Sequence, residues 1–195
     1  YIGLNAQNPA EYDKLYKITY LETSQKDFKS ALNTADSLFV ISETPYFQAK
    51  SLMLTASLYQ NSGDLKKSVE YALLSEKILE KTDNGFWKAR VYGFLATQYR
   101  ILKLDIESHK YAQKAIEISK KIKDPESANS TAGLMSQEMA YYEIEKKNYK
   151  KSIDYIHQSQ HYFNVTNIDK AYFTATNEQL LGLNYSHLKE YDKAI

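Results

Sequence analysis

Small residues recur along this chain at a fixed interval, with large apolar residues placed beside them. The segments Ala56–Ser68 (ASLYQNSGDLKKS) and Ala140–Ser152 (AYYEIEKKNYKKS) align with each other. The same small-to-small interval of 12 recurs from Ala96 to Ser108 and from Gly182 to Ala194, with a weaker copy from Thr19 to Ala31. The second small residue of each copy is Ala31, Ser68, Ser108, Ser152 or Ala194, so successive copies are 37, 40, 44 and 42 residues apart. Three residues earlier stand Phe28, Leu65, Asp105, Tyr149 and Tyr191; three residues later stand Tyr71, Tyr111 and Tyr155. Seven residues later come Leu38, Ser75, Ala115 and Ser159. Small residues at matched positions let two helix backbones approach, and large ones beside them fill the groove. The pattern predicts packed helices in pairs, repeated about every 40 residues.

Composition agrees with helices and removes several functions. Only 6 glycines and 3 prolines interrupt 195 residues, too few breakers for anything but a largely helical chain. Charge is balanced, 25 basic against 24 acidic residues, which argues against a dedicated nucleic-acid-binding domain and against direct nucleic acid contact. Cysteine is absent, excluding disulfides, thiolate nucleophiles and cysteine-ligated zinc while leaving cytoplasm and periplasm equally open. No uncharged apolar run approaches the ~20 residues of a membrane span. The glycines form no phosphate-binding loop, and no nucleophile elbow or H-E-x-x-H occurs, so no catalytic residue and no cofactor are expected. Asp154, His157 and His161 share a helix face at metal-like spacing, but three side chains on one helix make an incidental cluster, and no metal is assigned. The lysine doublets at 66–67, 120–121, 146–147 and 150–151 read as solvated faces with ion pairs, because Glu70, Glu145 and Asp154 offset them.

The repeats resemble tetratricopeptide (TPR) units, most clearly from Leu58 to Ser75 (LYQNSGDLKKSVEYALLS), with Ala56 just ahead. In family terms Ala56 and Tyr59 lie on helix A, Gly63 and Asp64 form the turn, and Ser68, Ala72 and Ser75 lie on helix B. The segment YSHLKEYDKAI, from Tyr185 to Ile195, matches the same turn and helix start. Two departures stand out: a period near 40 instead of ~34, and Glu22 and Glu143 in place of the usual helix A aromatic. The expected fold is an all-α, right-handed TPR-like solenoid of about four and a half repeats, at 10–44, 45–83, 84–124, 125–166 and 167–195. Helices are expected at 10–24, 28–42, 45–61, 65–81, 86–102, 105–122, 126–147, 149–164 and 168–188. Pro45 and Pro125 fall at first helical positions, and the residues 83–85 and 124–125 are turn and capping signals. The last pair is read as cut short after Ile195, with an open apolar end at which the chain self-associates and beyond which the native protein continues.

The resemblance also implies a concave wall built from helix A. By repeat register its groove-facing positions are Tyr16 and Tyr20; Lys50, Met53, Ser57 and Gln60; Arg90, Gly93, Thr97 and Arg100; Gln137, Tyr141 and Ile144; and Gln179, Leu183 and Ser186. The partner expected there is a protein or peptide segment. Arg90 and Arg100 are the only arginines in a lysine-rich chain. A guanidinium presents a fixed donor fork that fits a carboxylate, so an acidic or C-terminal group is the expected contact. The Lys/Asn clamp by which some TPR adaptors hold chaperone tails is not reproduced, since Met53, Ser57, Gly93 and Thr97 occupy its positions. The style of the array resembles the sensory TPR segments of Bacteroidetes-type transcription regulators; the alternative is a structural spacer or oligomerisation arm with an empty groove.

Overall fold

The structure, a computed structural model, describes residues 9–166 and 170–194. Among them nine α-helices follow one another: α1 (Pro9–Ser24), α2 (Phe28–Val40), α3 (Pro45–Ser62), α4 (Leu65–Leu79), α5 (Gly85–Ile101), α6 (Asp105–Ser119), α7 (Pro125–Glu145), α8 (Tyr149–Asn164) and α9 (Lys170–His187). The expected helices are all present, apart from residues 168–169 at the expected start of the last, which lie outside the described residues. Their C-terminal ends fall short of the expectation by two or three residues in α2, α4, α6 and α7, where the chain turns out of the helix. After α9, Tyr191–Lys193 forms a single 3-10 turn. Pro45 and Pro125 open α3 and α7 with Thr44 and Asp124 as caps; Asp124 accepts the N–H of Ser127 at 2.9 Å.

The chain divides into two compact units, one ending at Trp87 and one beginning at Lys88. In the first, α1 packs on α2, α2 on α3 and α3 on α4. In the second, α6 packs on α7, α7 on α8, and α9 on both α8 and α7. The small residues sit where the backbones meet. Thr19, Ala31, Ala56, Ser68, Ala96, Ser108, Ala140 and Ser152 are all buried. In the fourth copy the two small positions touch, Ser152 Oγ donating to the carbonyl of Ala140 at 3.1 Å. In the fifth, a Cβ on Gly182 would lie 3.1 Å from the carbonyl oxygen of Ala194. Repeated tyrosines fill the neighbouring space: Tyr59 stacks on Tyr71 (5.3 Å between centroids) and Tyr99 on Tyr111 (5.5 Å).

The two helix A glutamates pack differently from the aromatics they replace. Glu22 accepts a hydrogen bond from Thr34 on α2 at 2.8 Å. Glu143 is buried and gathers Lys151 Nζ (2.6 Å) and Asn148 Nδ2 (2.8 Å). Burial alone would raise the Glu143 pKa, but these two donors hold it below the ordinary value. A charged anchor thus takes over a position where other copies use a ring.

Every helix A closes with one turn. The N–H groups of Lys26, Gly63, Lys103, Lys147 and Lys189 donate to the carbonyl three residues back, and the next N–H in each case to the carbonyl five back. This is the Schellman arrangement, which puts its C′ residue in the left-handed region. Gly63 sits there at φ 88°, and the four lysines at φ 60–63°. These residues keep the spacing of the small positions, each five before the second small residue of its copy.

Candidate functional site

In the first unit, α1 and α3 bring three of the expected face residues together. Lys50 Nζ lies 4.3 Å from the centre of the Tyr16 ring and 5.0 Å from that of Tyr12, and 3.8 Å from Asp13 Oδ1. Tyr16 in turn packs 5.2 Å from Tyr20, which is exposed. Burial lowers the pKa of the Lys50 ammonium, partly offset by Asp13. The Tyr12 hydroxyl is 3.0 Å from Ser51 Oγ, and burial raises its pKa. Met53 is buried among the helices, and Ser57 and Gln60 are half-buried, Ser57 Oγ donating to the carbonyl of Met53 at 3.0 Å.

The second unit carries a more developed polar face, built across α5, α7 and α9. Arg100 Nε donates to Glu138 Oε2 at 2.7 Å, while Thr97 Oγ1 donates to the other carboxylate oxygen at 3.1 Å. The Arg100 guanidinium carbon stands 4.4 Å from the centre of the Tyr141 ring. Glu138 is nearly sealed, its side chain 7% exposed, whereas that of Arg100 is 23% exposed. Burial pulls the Arg100 pKa down, and the Glu138 contact more than compensates, leaving it raised. Among the described residues, the terminal Nη groups of Arg100 have no hydrogen-bond partner. Farther along α7, Gln137 is buried at 3% and donates to Asn177 Oδ1 (2.9 Å) and to the carbonyl of Phe173 (3.1 Å). Asn177 passes the chain on, donating to Ser159 Oγ on α8 at 3.1 Å.

Thr97 and Arg100 are therefore brought together on Glu138, with the Tyr141 ring against the guanidinium and Gln137 one position from Glu138 on α7. Arg90 is exposed on α5 ten residues before Arg100, about 15 Å along the helix axis, so the two arginines cannot grip one carboxylate. Gln179 is exposed on α9, away from these bonds. Met53 and Gln137 face other helices rather than an open surface. Glu138 and Asn177 were not among the expected residues, yet a signal for them exists. Polar partners on successive repeats lie one period apart: Arg100–Glu138, Thr97–Glu138, Gln137–Asn177, Lys103–Glu145 and Asp105–Lys146 are separated by 38 to 42 residues. Pairing complementary side chains at that offset finds them.

Among the described residues no group of three or more His, Cys, Asp or Glu side chains is placed to hold a metal ion. Asp154, His157 and His161 are exposed along α8, and His157 Nδ1 is 3.0 Å from Gln160 Oε1. No described helix is long and apolar enough to cross a membrane.

No protein-family profile and no curated protein sequence matches the chain. Solved structures do. BtubC (BKLC) from P. vanneervenii superposes with a TM-score of 0.83 at 15% identity, covering 98% of this chain and 80% of that one. A putative kinesin light chain with nearly identical TPR-like repeats, from Podosopora anserina, gives 0.71 at 16% identity over 96% and 92% of the two chains. A variant of that protein gives 0.72 at 15% identity over 95% and 90%. The fold is accordingly a TPR-like, all-α solenoid of helix repeats.

Proposed function

We propose that this chain is a protein- or peptide-binding scaffold whose helix A face in the second unit recognises a carboxylate on a bound segment. The supporting observation is the state of Arg100. Its guanidinium is already fixed by one bond to Glu138 and by the face of Tyr141, with the Nη edge left to donate. A donor fork immobilised before binding loses less side-chain entropy when a ligand arrives. Thr97 and Glu138 act as positioning residues, and the Tyr16–Tyr20–Lys50 cluster of the first unit is a separate aromatic contact surface. The scaffold serves as the sensory or regulatory segment of a larger bacterial signalling or transcription regulator, where a bound segment shifts the array between conformations. The structural-spacer reading draws on Met53 and Gln137, groove-register side chains that are spent on packing.

A peptide array with free carboxyl termini and with matched amides tests the proposal. Peptides selected by the unaltered chain should prefer the free acid. Arg100→Ala should weaken them by roughly ten- to a hundredfold, the worth of hydrogen bonds to a charged group, and Arg100→Lys should restore only part. If no peptide distinguishes the unaltered chain from Arg100→Ala, with both equally helical, the carboxylate reading is wrong.

A further inference from the structure

One column of the repeat breaks its rule in the second copy. The residue just before the first small position is Ile18, Thr55, Leu95, Met139 or Leu181, large and apolar in every copy but the one with threonine. Thr55 is as deeply buried as Leu95 and Met139. Its hydroxyl is used on its own helix, donating to the carbonyl of Ser51 at 3.2 Å, and its short side chain leaves open the space that the larger residues take. A groove of about 350 Å³ lies there between α2 and α4, with Leu52 and Thr55 of α3 as its floor. Phe39 of α2 and Leu74 of α4 form its walls, 40% and 50% exposed. A concave apolar space of this size with a few polar groups at its edge is the usual form of a small-ligand site.

The rim says what the ligand carries. Asp36 on α2 and Lys77 on α4 line the groove, and both are exposed. Among the described residues neither makes an ion pair or a hydrogen bond within the chain, whereas Lys50, Lys103 and Lys146 are each paired with a carboxylate. The two charges stand apart. Burial raises the pKa of the Tyr71 hydroxyl and Tyr59 and Asp36 add to the rise, so Asp36 acts at the Tyr71 end of the groove. Lys77 is six residues farther along α4, about 9 Å of helix axis. Opposite unpaired charges at the two ends of an apolar space fit a molecule with an ammonium, an apolar body and a carboxylate, and three extended residues span about 10 Å. A fatty acid would set Asp36 against its own anionic charge or its tail. A partner helix, about 10–12 Å across with its side chains, is too thick for a space of this volume.

We propose that the groove between α2 and α4 binds a short zwitterionic peptide of about three residues, with its ammonium at Asp36, its carboxylate at Lys77 and an apolar side chain seated on Leu52 and Thr55. The site lies in the first unit and is independent of the carboxylate site at Arg100.

Calorimetric titration of the 195-residue chain with trileucine, unblocked, N-acetylated or C-amidated, tests the site. The unblocked peptide should bind once per chain, and blocking either end should weaken it about tenfold, the effect of losing a hydrogen bond to a charged group. Asp36→Asn should erase the difference made by acetylation alone, and Lys77→Gln the difference made by amidation alone. Both side chains are exposed, so these two variants keep the fold and decide the matter even if a change at the floor disturbs it. Thr55→Leu, which supplies the bulk found in the other copies, should abolish binding with helicity unchanged, and Arg100→Ala should leave binding intact. The proposal is overturned if unblocked trileucine shows no binding at about millimolar concentration, or if affinity is indifferent to both blocking groups. Binding that survives in a folded Thr55→Leu chain overturns it too, as does loss on Arg100→Ala, which would put the peptide in the second unit. So does binding confined to a fatty acid or to a longer helical peptide.

Discussion

Replacing Lys147 by glycine should stabilise the second unit, although it deletes a side chain and adds a residue that ordinarily weakens folds. Lys147 occupies the left-handed position of the α7 turn at φ 60°. A non-glycine residue there costs about 1–2 kcal/mol, because its Cβ crowds the following carbonyl. Glycine removes that strain but raises the entropy of the unfolded chain, a counter-effect of about 0.4–1 kcal/mol. The difference leaves a net gain of roughly 0.5–1 kcal/mol. The Lys147 side chain is exposed, so little is lost with it; Lys103 is a less clean site, since its ion pair with Glu145 would go as well. The reverse change at the same turn, Gly63→Lys, should cost a similar amount. It meets nothing within 4 Å, so the cost is conformational and not steric. Urea unfolding followed by circular dichroism measures both. The single tryptophan, Trp87, adds a fluorescence signal local to the first unit, where Gly63 lies. Separate transitions should be fitted if the units do not melt together. A Lys147→Gly chain no more stable than the parent, alongside a Gly63→Lys chain that loses nothing, would refute the strain argument.

Other expectations follow from single contacts. Gly133→Ala should destabilise by about 1–2 kcal/mol, because its Cβ would come within 2.8 Å of the buried Phe163 ring, which is stacked on Phe173; Gly93→Ala meets only the flexible end of Met135 at 3.1 Å and should be neutral or stabilising by up to ~1 kcal/mol. Thermal melts of the two variants rank them. His109 on α6 packs 4.7 Å from Tyr142, near Glu143 and Lys151, and its buried Nδ1 lacks a hydrogen-bond partner. Burial lowers its pKa below the ordinary 6.5, so below that pH the unfolded chain binds the extra proton first. Stability should therefore be full above pH 6.5 and fall as the pH drops below it, and His109→Phe should flatten that part of a urea-midpoint profile. Glu143 has the opposite partner logic and a lower window: its depressed pKa contributes stability above the ordinary 4.5 that is lost in more acid solution, a loss that Glu143→Gln should abolish.

The sequence made the helices and their pairing legible because backbone contact demands small residues, and Ala31, Ser68, Ser108 and Ser152 repeat at readable intervals. The left-handed position of the turn was legible only once, at Gly63. Lysine carries no mark of positive φ, so Lys26, Lys103, Lys147 and Lys189 read simply as exposed charge. The polar face was half visible. Arg100, Thr97 and Tyr141 lie at register positions that the resemblance supplied, but register is blind to which neighbour a side chain chooses. Glu138 stands beside Gln137, and only the helix rotation decides that the glutamate meets Arg100 while the glutamine turns to Asn177. Glu143 shows the same limit, since an acid at an aromatic position says nothing of its packing until Lys151 and Asn148 are placed around it.

The constancy of the helix-closing turn has an evolutionary consequence. From the first small residue, through the left-handed residue, to the second small residue, the twelve-residue interval is the same in all five copies, while α7 has 21 residues where α5 has 17, about one additional helical turn. Among the five copies, length varies only outside that interval. It behaves as an inherited cassette: duplication can copy it, recombination can join it to helices of other lengths, and each daughter still closes its own hairpin. Drift in the period from 37 to 44 residues is then the record of unequal growth around a conserved joint, and new copies of uneven length remain foldable from the moment they arise.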